Sequence, residues 1–433
     1  MPFEPLPTPD LAPVPGPGPL RRFFGLRRQM SWKQAFTALK HPNYRLWFWG
    51  QIVSLFGTWM QATALGFLVF DLTGSPAYLG LAGFLQGVPT WLFMLYAGVI
   101  ADRLPRRTLL LVTQTVMMAL AFVVAVLAFL HWIQPWHILV LAFLLGTANA
   151  FEAPARQSFI LEMVPVEDMT NAIALNSALF NTAMAVGPMA GGLIYAFFGP
   201  AWCFAINGVT FIAVLVALRR MKLEPFVPKP SRTSALADLK EGLTYVARHP
   251  LIRTVIGLIG AVSLFGISFV TLMPAWAVNV LGGDAKTNGF LQSARGLGAL
   301  AAALLIASLG RFRFRGKLLT LGTFALPVAA ALFALSRWTP LSLVLIFGAG
   351  MSMILVFNLS NALVQTHAPN ALRGRIMSVY TLIFFGLMPL GALGVGVTAE
   401  KIGQAPAVFI GAGVTLGAAT ALALFMPRLR RQQ

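Results

Sequence analysis

The chain has 433 residues, of which 58% are hydrophobic and 10% are charged, and its mean hydropathy is +0.77. Because soluble globular domains contain about 25% charged residues, this composition excludes an ordinary soluble domain and indicates a protein that lies in lipid. The net charge is +19, and the single cysteine, Cys203, excludes an intramolecular disulfide.

The first part of the chain, residues 1–40, is rich in proline and glycine and lacks the basic start and apolar core of a signal peptide. We expect it to be a disordered or surface-lying cytoplasmic segment. Twelve apolar runs of roughly 20 residues or more follow, and each is long enough to cross a bilayer as a helix. The predicted spans are residues 45–70, 77–101, 108–130, 136–161, 170–198, 200–218, 253–281, 286–309, 317–336, 340–365, 374–399 and 405–426.

The basic residues lie almost entirely on one side of this topology. If both termini are cytoplasmic, the outer loops contain only Lys286, Arg337 and Lys401. Because lysine and arginine favour cytoplasmic loops, we predict that both termini are cytoplasmic. A strongly basic chain also suggests nucleic acid, but this charge follows the membrane topology, so we predict no nucleic-acid partner.

The longest break between spans follows the sixth span and divides the chain into two halves. Its latter part places Leu239, Leu243 and Val246 at helical spacing, which predicts an amphipathic helix at the membrane surface. This helix is either a plain connector or a site for lipid or a calmodulin-like partner. The predicted organisation is a six-helix bundle at 41–220, a cytoplasmic linker at 221–252, a second six-helix bundle at 253–427 and a basic cytoplasmic tail at 428–433.

A weak internal repeat relates the two halves. The positions that recur in order are Gly146, Pro165 and Gly199 in the first half, and Gly350, Pro369 and Gly403 in the second. A second correspondence joins Leu79–Arg106 to Asn288–Arg315. Repeated halves around a site near the membrane midplane are typical of secondary transporters, in which one half moves against the other.

A short acidic and basic turn, Gly98–Arg107, separates the second and third spans, and it resembles the cytoplasmic signature of the major facilitator superfamily. Shorter matches resemble the bacterial branch that contains the enterobactin exporter and related efflux carriers; they are Asn43–Trp47, Asp71–Ser75, Pro154–Gln157, Asn171–Asn176 and Gly187–Pro188. The resemblance covers residues 40–426. It implies two pseudo-symmetric six-helix bundles in the bacterial inner membrane, alternating access and a monomer.

The signature predicts a cytoplasmic gate formed by Gly98, Asp102, Arg103, Arg106 and Arg107. Here Asp102 can accept hydrogen bonds from a neighbouring helix end or from the arginines, and so hold the cytoplasmic ends together. The alternative is a set of solvated charges that only fixes topology. In the second half Arg311 stands where the repeat would place the acid, so any such latch is asymmetric.

Ionisable side chains inside a span are costly, so Glu152 and Arg156 in the fourth span indicate a function. Their i,i+4 spacing allows them to pair, and Asn149 shares their face, so we expect a polar line towards the bundle interior. Two interpretations stay open. Glu152 exchanges a proton with the cavity as Arg156 and solvent approach or retreat, or the two form a permanent ion pair that braces the bundle.

The resemblance implies a central cavity lined by the first, fourth, seventh and tenth helices. Polar, aromatic and sulfur-containing side chains on these helices are therefore candidate substrate contacts. In addition to Asn149, they are Gln51, Thr58, Trp59, Met60 and Gln61 in the first span and Asn358, Asn361 and Gln365 in the tenth.

Three further features carry alternatives. Asp71, at the end of the first span, either collects protons or caps the next helix. Arg295, in the eighth span, has a functional or bracing role or extends outward to the surface. A run of small residues in the fifth span resembles the end of the antiporter motif; it contains Gly187, Pro188, Gly191 and Gly192.

No nucleotide-binding loop, metal-ligand cluster or nucleophile paired with a histidine occurs in the sequence, so we predict no enzyme, no cofactor and no metal site. Uphill transport must then use an ion gradient, and protons are usual in the superfamily. The predicted function is proton-coupled export of amphipathic or hydrophobic small molecules of drug or siderophore type. A lysophospholipid transporter and a transport-inactive ligand sensor remain alternatives; the expected partners are substrate, protons and membrane lipids.

Overall fold

The structure is a computed structural model that describes residues 36–223, 235–309 and 315–425, and within these ranges the chain is helical apart from short turns. Fourteen α-helices form there: α1 Pro42–Thr73, α2 Pro76–Arg103, α3 Arg106–Phe129, α4 Pro135–Phe159, α5 Val166–Phe198, α6 Pro200–Arg220, α7 Ala235–Arg248, α8 Pro250–Ala261, α9 Met273–Asn279, α10 Ala285–Leu309, α11 Arg315–Leu335, α12 Thr339–His367, α13 Arg373–Ile402 and α14 Gln404–Phe425.

These helices follow the twelve predicted spans. Eleven helical segments in the described ranges are long and apolar enough to cross a membrane, and one of them joins α8 to α9 over Pro250–Asn279. The second span is α2, which has 28 residues. The predicted all-α fold of twelve transmembrane helices is confirmed.

Proline and glycine set many helix boundaries. Pro42, Pro76 and Pro200 occupy the first turn of their helices, where the missing N–H costs nothing. Gly199 and Gly403, which end α5 and α13, adopt φ values of 89° and 92° that other residues rarely adopt. Both glycines belong to the predicted repeat, so the repeat marks equivalent turns.

The seventh span differs from the single helix that its apolar run predicts. After α8 a π-helical turn covers Val262–Gly266 and a 3₁₀ turn covers Ser268–Leu272 before α9 begins. The Ser268 hydroxyl donates to the Leu264 carbonyl at 2.5 Å. Gly391 of α13 packs so closely there that a Cβ would lie 2.3 Å from the same carbonyl oxygen. Broken helices of this kind are common beside transporter sites.

Most of the apolar core is divided between the two halves, and a further cluster around Phe204 includes Ala275 and Ala285 of the second half. In the first half a cluster centred on Trp47, Leu110 and Phe159 is almost fully buried. In the second half a larger cluster contains Trp276 and Phe333, whose ring centroids lie 4.5 Å apart. We describe these as the N-terminal and C-terminal bundles.

Glycines allow the two bundles to approach at backbone distance. We use the name inter-bundle seam for the contacts of α2 with α13 and of α5 with α10. A Cβ on Gly80 would lie 3.1 Å from the Gly396 Cα, and one on Gly192 would lie 2.9 Å from the Gly289 Cα. These pairs lie near the end of the molecule that contains Gly199 and Gly403, which we name the outer face. The opposite end, with Arg103 and Arg373, is named the inner face and is the one predicted to be cytoplasmic.

Two segments outside the spans pack on the bundles. The amphipathic helix expected in the linker is α7, and Arg375 at the start of α13 pairs with its Asp238 at 2.7 Å and with its Glu241. In the segment predicted to be disordered or surface-lying, a 3₁₀ helix covers Thr37–Lys40, and its Ala38 is fully buried. Predictions for residues 1–35, for the basic turn at Arg311 and for the tail at 428–433 lie outside the described residues.

Candidate substrate cavity

Glu152 lies at the centre of a buried polar cluster in the N-terminal bundle. The residue is 4% exposed. Its Oε1 accepts a hydrogen bond from Gln114 Nε2 of α3 at 2.9 Å and lies 3.7 Å from Arg156 Nη1, one turn further along α4. The i,i+4 pair expected from the sequence is therefore present. Gln114 is an additional member that the sequence analysis did not identify.

The ion pair is loose, whereas the amide contact is close. Charge-assisted hydrogen bonds between nitrogen and carboxylate oxygen are about 2.7–2.9 Å long, so the 3.7 Å between Arg156 and Glu152 is an electrostatic contact without a short hydrogen bond. The Arg156 side chain keeps 29% of its surface exposed. This arrangement leaves the guanidinium free to reorient without breaking the Gln114 contact.

The exposed face of α4 changes side along its length. Near the outer face Val140 and Leu144 are exposed, which suits contact with lipid. Nine residues after Val140, a rotation of about 180° at 3.6 residues per turn, Asn149 is exposed on the other side. Asn149 thus lies on the side of α4 opposite to the exposed apolar residues.

A cavity of about 200 Å³ opens beside this cluster. Its walls come from five helices of the N-terminal bundle and combine amides, hydroxyls and aromatic rings. They are Gln51, Ser54, Leu55, Thr58, Trp59 and Ala62 of α1, Gln114 and Met117 of α3, Asn149, Glu152 and Arg156 of α4, Phe180 of α5 and Phe211 of α6. Ligand sites commonly mix apolar walls with a few placed polar groups in this way.

Two buried amides of this cavity have an atom without a hydrogen-bond partner among the described residues. They are Gln51 Nε2, a donor, and Gln114 Oε1, an acceptor. Because a buried polar group without a partner is costly, both atoms are candidate contacts for water or for a bound molecule. The Trp59 and Phe180 rings meet edge to face at 5.5 Å and provide an apolar wall.

The candidate substrate residues do not all gather here. Met60 and Gln61 brace α1 instead. Gly191 packs against the Met60 carbonyl, and Gln61 Oε1 accepts a hydrogen bond from Asn207 Nδ2 of α6 at 2.7 Å. Their positions follow from tight helix packing inside the bundle.

The tenth-span candidates lie on α12, outside the walls of this cavity. Gln365 Nε2 donates to Asn361 Oδ1 at 2.7 Å, so these two amides satisfy each other in part. Asn358 is exposed. Their role in binding substrate stays a prediction.

The arginines after the inner end of α2 connect helices of the N-terminal bundle. Arg106 pairs with Glu162, which follows α4, and Arg107 Nη2 donates to the Arg219 carbonyl at the end of α6 at 2.7 Å. A cation at a helix C-terminus is favourable because of the helix dipole. Arg103 is exposed, Gly98 has open space beside its Cα, and the side chain of Asp102 lies outside the described part of the structure. The latch formed by Asp102 stays a prediction.

The antiporter-like run on α5 packs on both bundles. Gly187 and Gly191 pack on α1, whereas Gly192 faces α10. Pro188 has no amide hydrogen to donate. The next amide, Met189 N, donates a hydrogen bond to Ser293 Oγ of α10 at 2.9 Å. The run therefore lies where α5 meets the inter-bundle seam.

Asp71 lies exposed at the outer end of α1, where its Oδ2 accepts a hydrogen bond from the Tyr195 hydroxyl at 2.9 Å. The cap of α2 comes from elsewhere. Tyr78 N donates to Ser75 Oγ at 3.3 Å, and Glu400 of α13 accepts from Ser75 Oγ at 2.7 Å and from Ala77 N at 3.2 Å. Glu400 thus connects the two bundles at the outer face. The sequence alone does not indicate this contact, because the partners lie more than 300 residues apart.

The described residues contain no group of three histidine, cysteine or acidic side chains placed to hold a metal ion.

Comparisons with known proteins agree with this architecture. A family model described as a transmembrane secretion effector matches residues 33–433. The multidrug efflux pump Tap of Mycolicibacterium fortuitum is 27% identical over 385 residues, which cover 86% of this chain and 93% of Tap. The enterobactin exporter EntS of Escherichia coli O1:K1 / APEC is 28% identical over 359 residues, covering 82% and 84%. A bacterial homologue of the human lysosomal transporter Spinster, solved inward-facing and unoccupied, shares the fold with a TM-score of 0.65, 14% identity and coverage of 92% and 98%.

Proposed function

The chain belongs to the transmembrane secretion effector family of the major facilitator superfamily, and from this premise we propose that it exports amphipathic or hydrophobic small molecules in exchange for protons. The relatives named as a multidrug efflux pump and an enterobactin exporter support the direction of transport. The same relatives support a place in the bacterial inner membrane, and the basic residues on the inner side support two cytoplasmic termini.

The cavity chemistry supports an amphipathic substrate. The Trp59 and Phe180 rings offer an apolar wall, while the free amide atoms of Gln51 and Gln114 offer one donor and one acceptor. A volume of about 200 Å³ accommodates part of a drug-sized molecule rather than all of it, since whole ligand sites are about 300–1,000 Å³. The rest of the substrate would then extend towards the C-terminal bundle.

The single observation that carries proton coupling is the position of Glu152. It is a buried carboxylate in the cavity wall, and it contacts one amide closely and one cation loosely. When Glu152 takes up a proton, Arg156 loses its counter-charge and can turn towards the cavity. When the proton leaves, the pair forms again, so proton binding and the charge of the cavity change together.

Alternating access is supported by the packing of the inter-bundle seam. The glycine pairs near the outer face bring backbones into contact, and Glu400 adds hydrogen bonds between the bundles there. These contacts hold the two bundles together at the outer face, which supports a state in which the outer route is closed. Opening the outer face requires these glycine contacts to separate, which is a rigid-body motion of one bundle against the other.

The test is transport by the purified full chain in proteoliposomes with an imposed pH gradient. Fluorescent amphipathic dyes of the efflux-pump type serve as probes. We expect uphill dye movement that follows the gradient and stops when a protonophore removes it. Dye binding without any gradient-driven movement would contradict transport and favour a ligand sensor, while selective movement of lysophospholipid would favour the lipid-transporter alternative.

A further inference from the structure

The charges inside the membrane do not balance. Of the 13 acidic residues in the sequence, only Glu152 lies away from the ends of a predicted span. Two cations lie within the predicted spans: Arg156 in the last turn of α4, and Arg295 in the middle of α10. Glu152 and Arg156 pair with each other. No acidic side chain of the described residues lies within 4 Å of Arg295, so its charge has no anionic partner there.

Arg295 lies too deep to reach either membrane surface. It is the eleventh residue of α10, a helix of 25 residues, which places it about 15 Å from the outer end of the helix. This depth argues against the interpretation that it extends outward, because an arginine side chain spans only about half that distance. Instead Arg295 Nε donates to Gln292 Oε1 at 3.2 Å within the span.

The helix face identifies the surroundings of Arg295. Leu297 and Leu304 of α10 are 47% and 61% exposed, which marks the lipid side. At about 100° per residue, Arg295 lies roughly 160–180° from both, so it points away from lipid. Asn288 and Gln292 share its face. Asn288 is 1% exposed, and neither atom of its amide has a hydrogen-bond partner among the described residues.

The same position lies beside the inter-bundle seam. A Cβ on Gly296 would lie 2.4 Å from the Met184 carbonyl of α5, in the other bundle. On the other side, the Arg295 carbonyl packs on Gly350, just as the Gln86 carbonyl packs on Gly146 in the N-terminal bundle. Arg295 is thus the pseudo-symmetric counterpart of Gln86, which is exposed at the middle of α2. At these two equivalent positions, the C-terminal bundle therefore has a charged side chain where the N-terminal bundle has an amide.

We propose that Arg295, together with Gln292 and Asn288, is an anion-binding subsite that takes the carboxylate, phosphate or sulfonate oxygens of an amphipathic molecule. The guanidinium binds such an oxyanion in bidentate geometry, and the two amides supply further donors along the same face. This rests on the proposed function and narrows the substrate class to amphiphiles with an anionic group.

The test is binding by the full chain in phosphatidylcholine nanodiscs, measured without transport. The probes are a dansyl-labelled dodecyl sulfonate, which is a permanent anion, and the matching neutral sulfonamide. We expect the wild type to prefer the sulfonate by about tenfold, as a charge-assisted hydrogen bond provides. Arg295→Gln removes this preference and leaves sulfonamide binding unchanged, whereas Arg295→Lys keeps part of it. Arg337→Gln, the same change on the outer surface, has no effect.

Three results overturn the subsite. The first is a wild type that binds both probes equally, and the second is an Arg295→Gln protein that keeps the preference for the sulfonate. The third is a folded Arg295→Gln protein whose affinity for both probes falls by the same factor. The midpoint of thermal unfolding of each variant reports folding independently of the probes, so a misfolded variant is recognised. Nanodiscs with phosphatidylglycerol identify the source of the anion, since a lipid phosphate in the subsite competes with the sulfonate in the wild type but not in Arg295→Gln. Competition and its absence both fit an anion subsite, occupied by lipid in the first case and by a free amphiphile in the second.

Failure of the two proposals is distinguishable in proteoliposomes loaded with the same probes. Charge-selective binding without gradient-driven movement overturns proton-coupled export and leaves the subsite. Gradient-driven movement of both probes, with equal affinities, overturns the subsite and leaves the export.

Discussion

Replacing Glu152 with glutamine separates proton coupling from bracing, because the two roles predict changes in different measurements. Glutamine keeps the shape of the side chain, and its Oε1 still accepts the hydrogen bond from Gln114 Nε2. What it removes is the negative charge opposite Arg156 and the capacity to bind and release a proton.

The stability change expected from Glu152→Gln is small. The lost contact is 3.7 Å long, and the arginine is 29% exposed, so the pair resembles partly solvated ion pairs worth about 1 kcal/mol or less. In a protein of this size, such a loss lowers the midpoint of thermal unfolding by only about 1 °C. Folding and dye binding therefore survive the substitution.

The transport change expected from coupling is large. A gradient of one pH unit supplies about 1.4 kcal/mol per proton, which supports roughly tenfold accumulation if one proton exchanges for each substrate. Glu152→Gln brings that accumulation to about one, while downhill exchange of dye across the membrane continues. The assay compares gradient-driven accumulation and downhill exchange in the same proteoliposomes.

Glu167→Gln is the matched control, because it makes the same chemical change at an exposed carboxylate near the inner face. It leaves both measurements unchanged. If Glu152→Gln retains the full tenfold accumulation and only lowers the unfolding midpoint, then Glu152 braces Arg156 and the coupling argument is refuted.

Three other predictions concern packing. Gly192→Val places a Cβ 2.5 Å from a carbonyl oxygen of α10, so it separates the bundles at the outer face. We expect increased maleimide labelling, from the outer side, of a cysteine introduced at the cavity residue Thr58. Gly413→Val, which has open space around its Cα, leaves the labelling unchanged. Glu400→Gln weakens the hydrogen bonds between the bundles by about 1 kcal/mol, which increases the outward-open population roughly fivefold in the same labelling assay. Gln61→Leu leaves the Asn207 amide without its acceptor and lowers the free energy of unfolding by about 1–3 kcal/mol, while the folded protein binds dye normally; a selective loss of dye affinity would instead place Gln61 in the substrate site.

The helices were predictable because a bilayer requires about 20 apolar residues for each crossing, and the chain supplies such runs between polar breaks. Glu152 and Arg156 were also accessible to sequence reasoning, since their i,i+4 spacing alone brings them together on one face. The break in the seventh span was not predictable. The break lies where Gly391, far along the chain, packs against the Leu264 carbonyl, and the sequence does not reveal that contact.

The partners of single amides were equally hidden in the sequence. Gln114 stands in a strongly apolar run, which signalled that it has a partner but not that the partner is Glu152. Gln61 is also a glutamine and lies on a helix that lines the cavity, yet its side chain pairs with Asn207 instead of the cavity. Helical periodicity determines which residues share a face, whereas the neighbouring helix determines which of those faces meets a cavity.

The two bundles repeat the scaffold but not the charges. Equivalent glycines, Gly146 and Gly350, admit equivalent carbonyls from Gln86 and Arg295, so the backbone follows the pseudo-symmetry closely. A carboxylate lies inside only one bundle, and Arg295 has its exposed amide counterpart, Gln86, in the other. A strictly symmetric pair of bundles would bind a proton and a substrate equally well on both sides. With different charges, the N-terminal bundle can respond to the proton and the C-terminal bundle to an anionic substrate. We propose that the inter-bundle seam beside Arg295 couples the two events, because any motion that separates α5 from α10 also changes the surroundings of this cation.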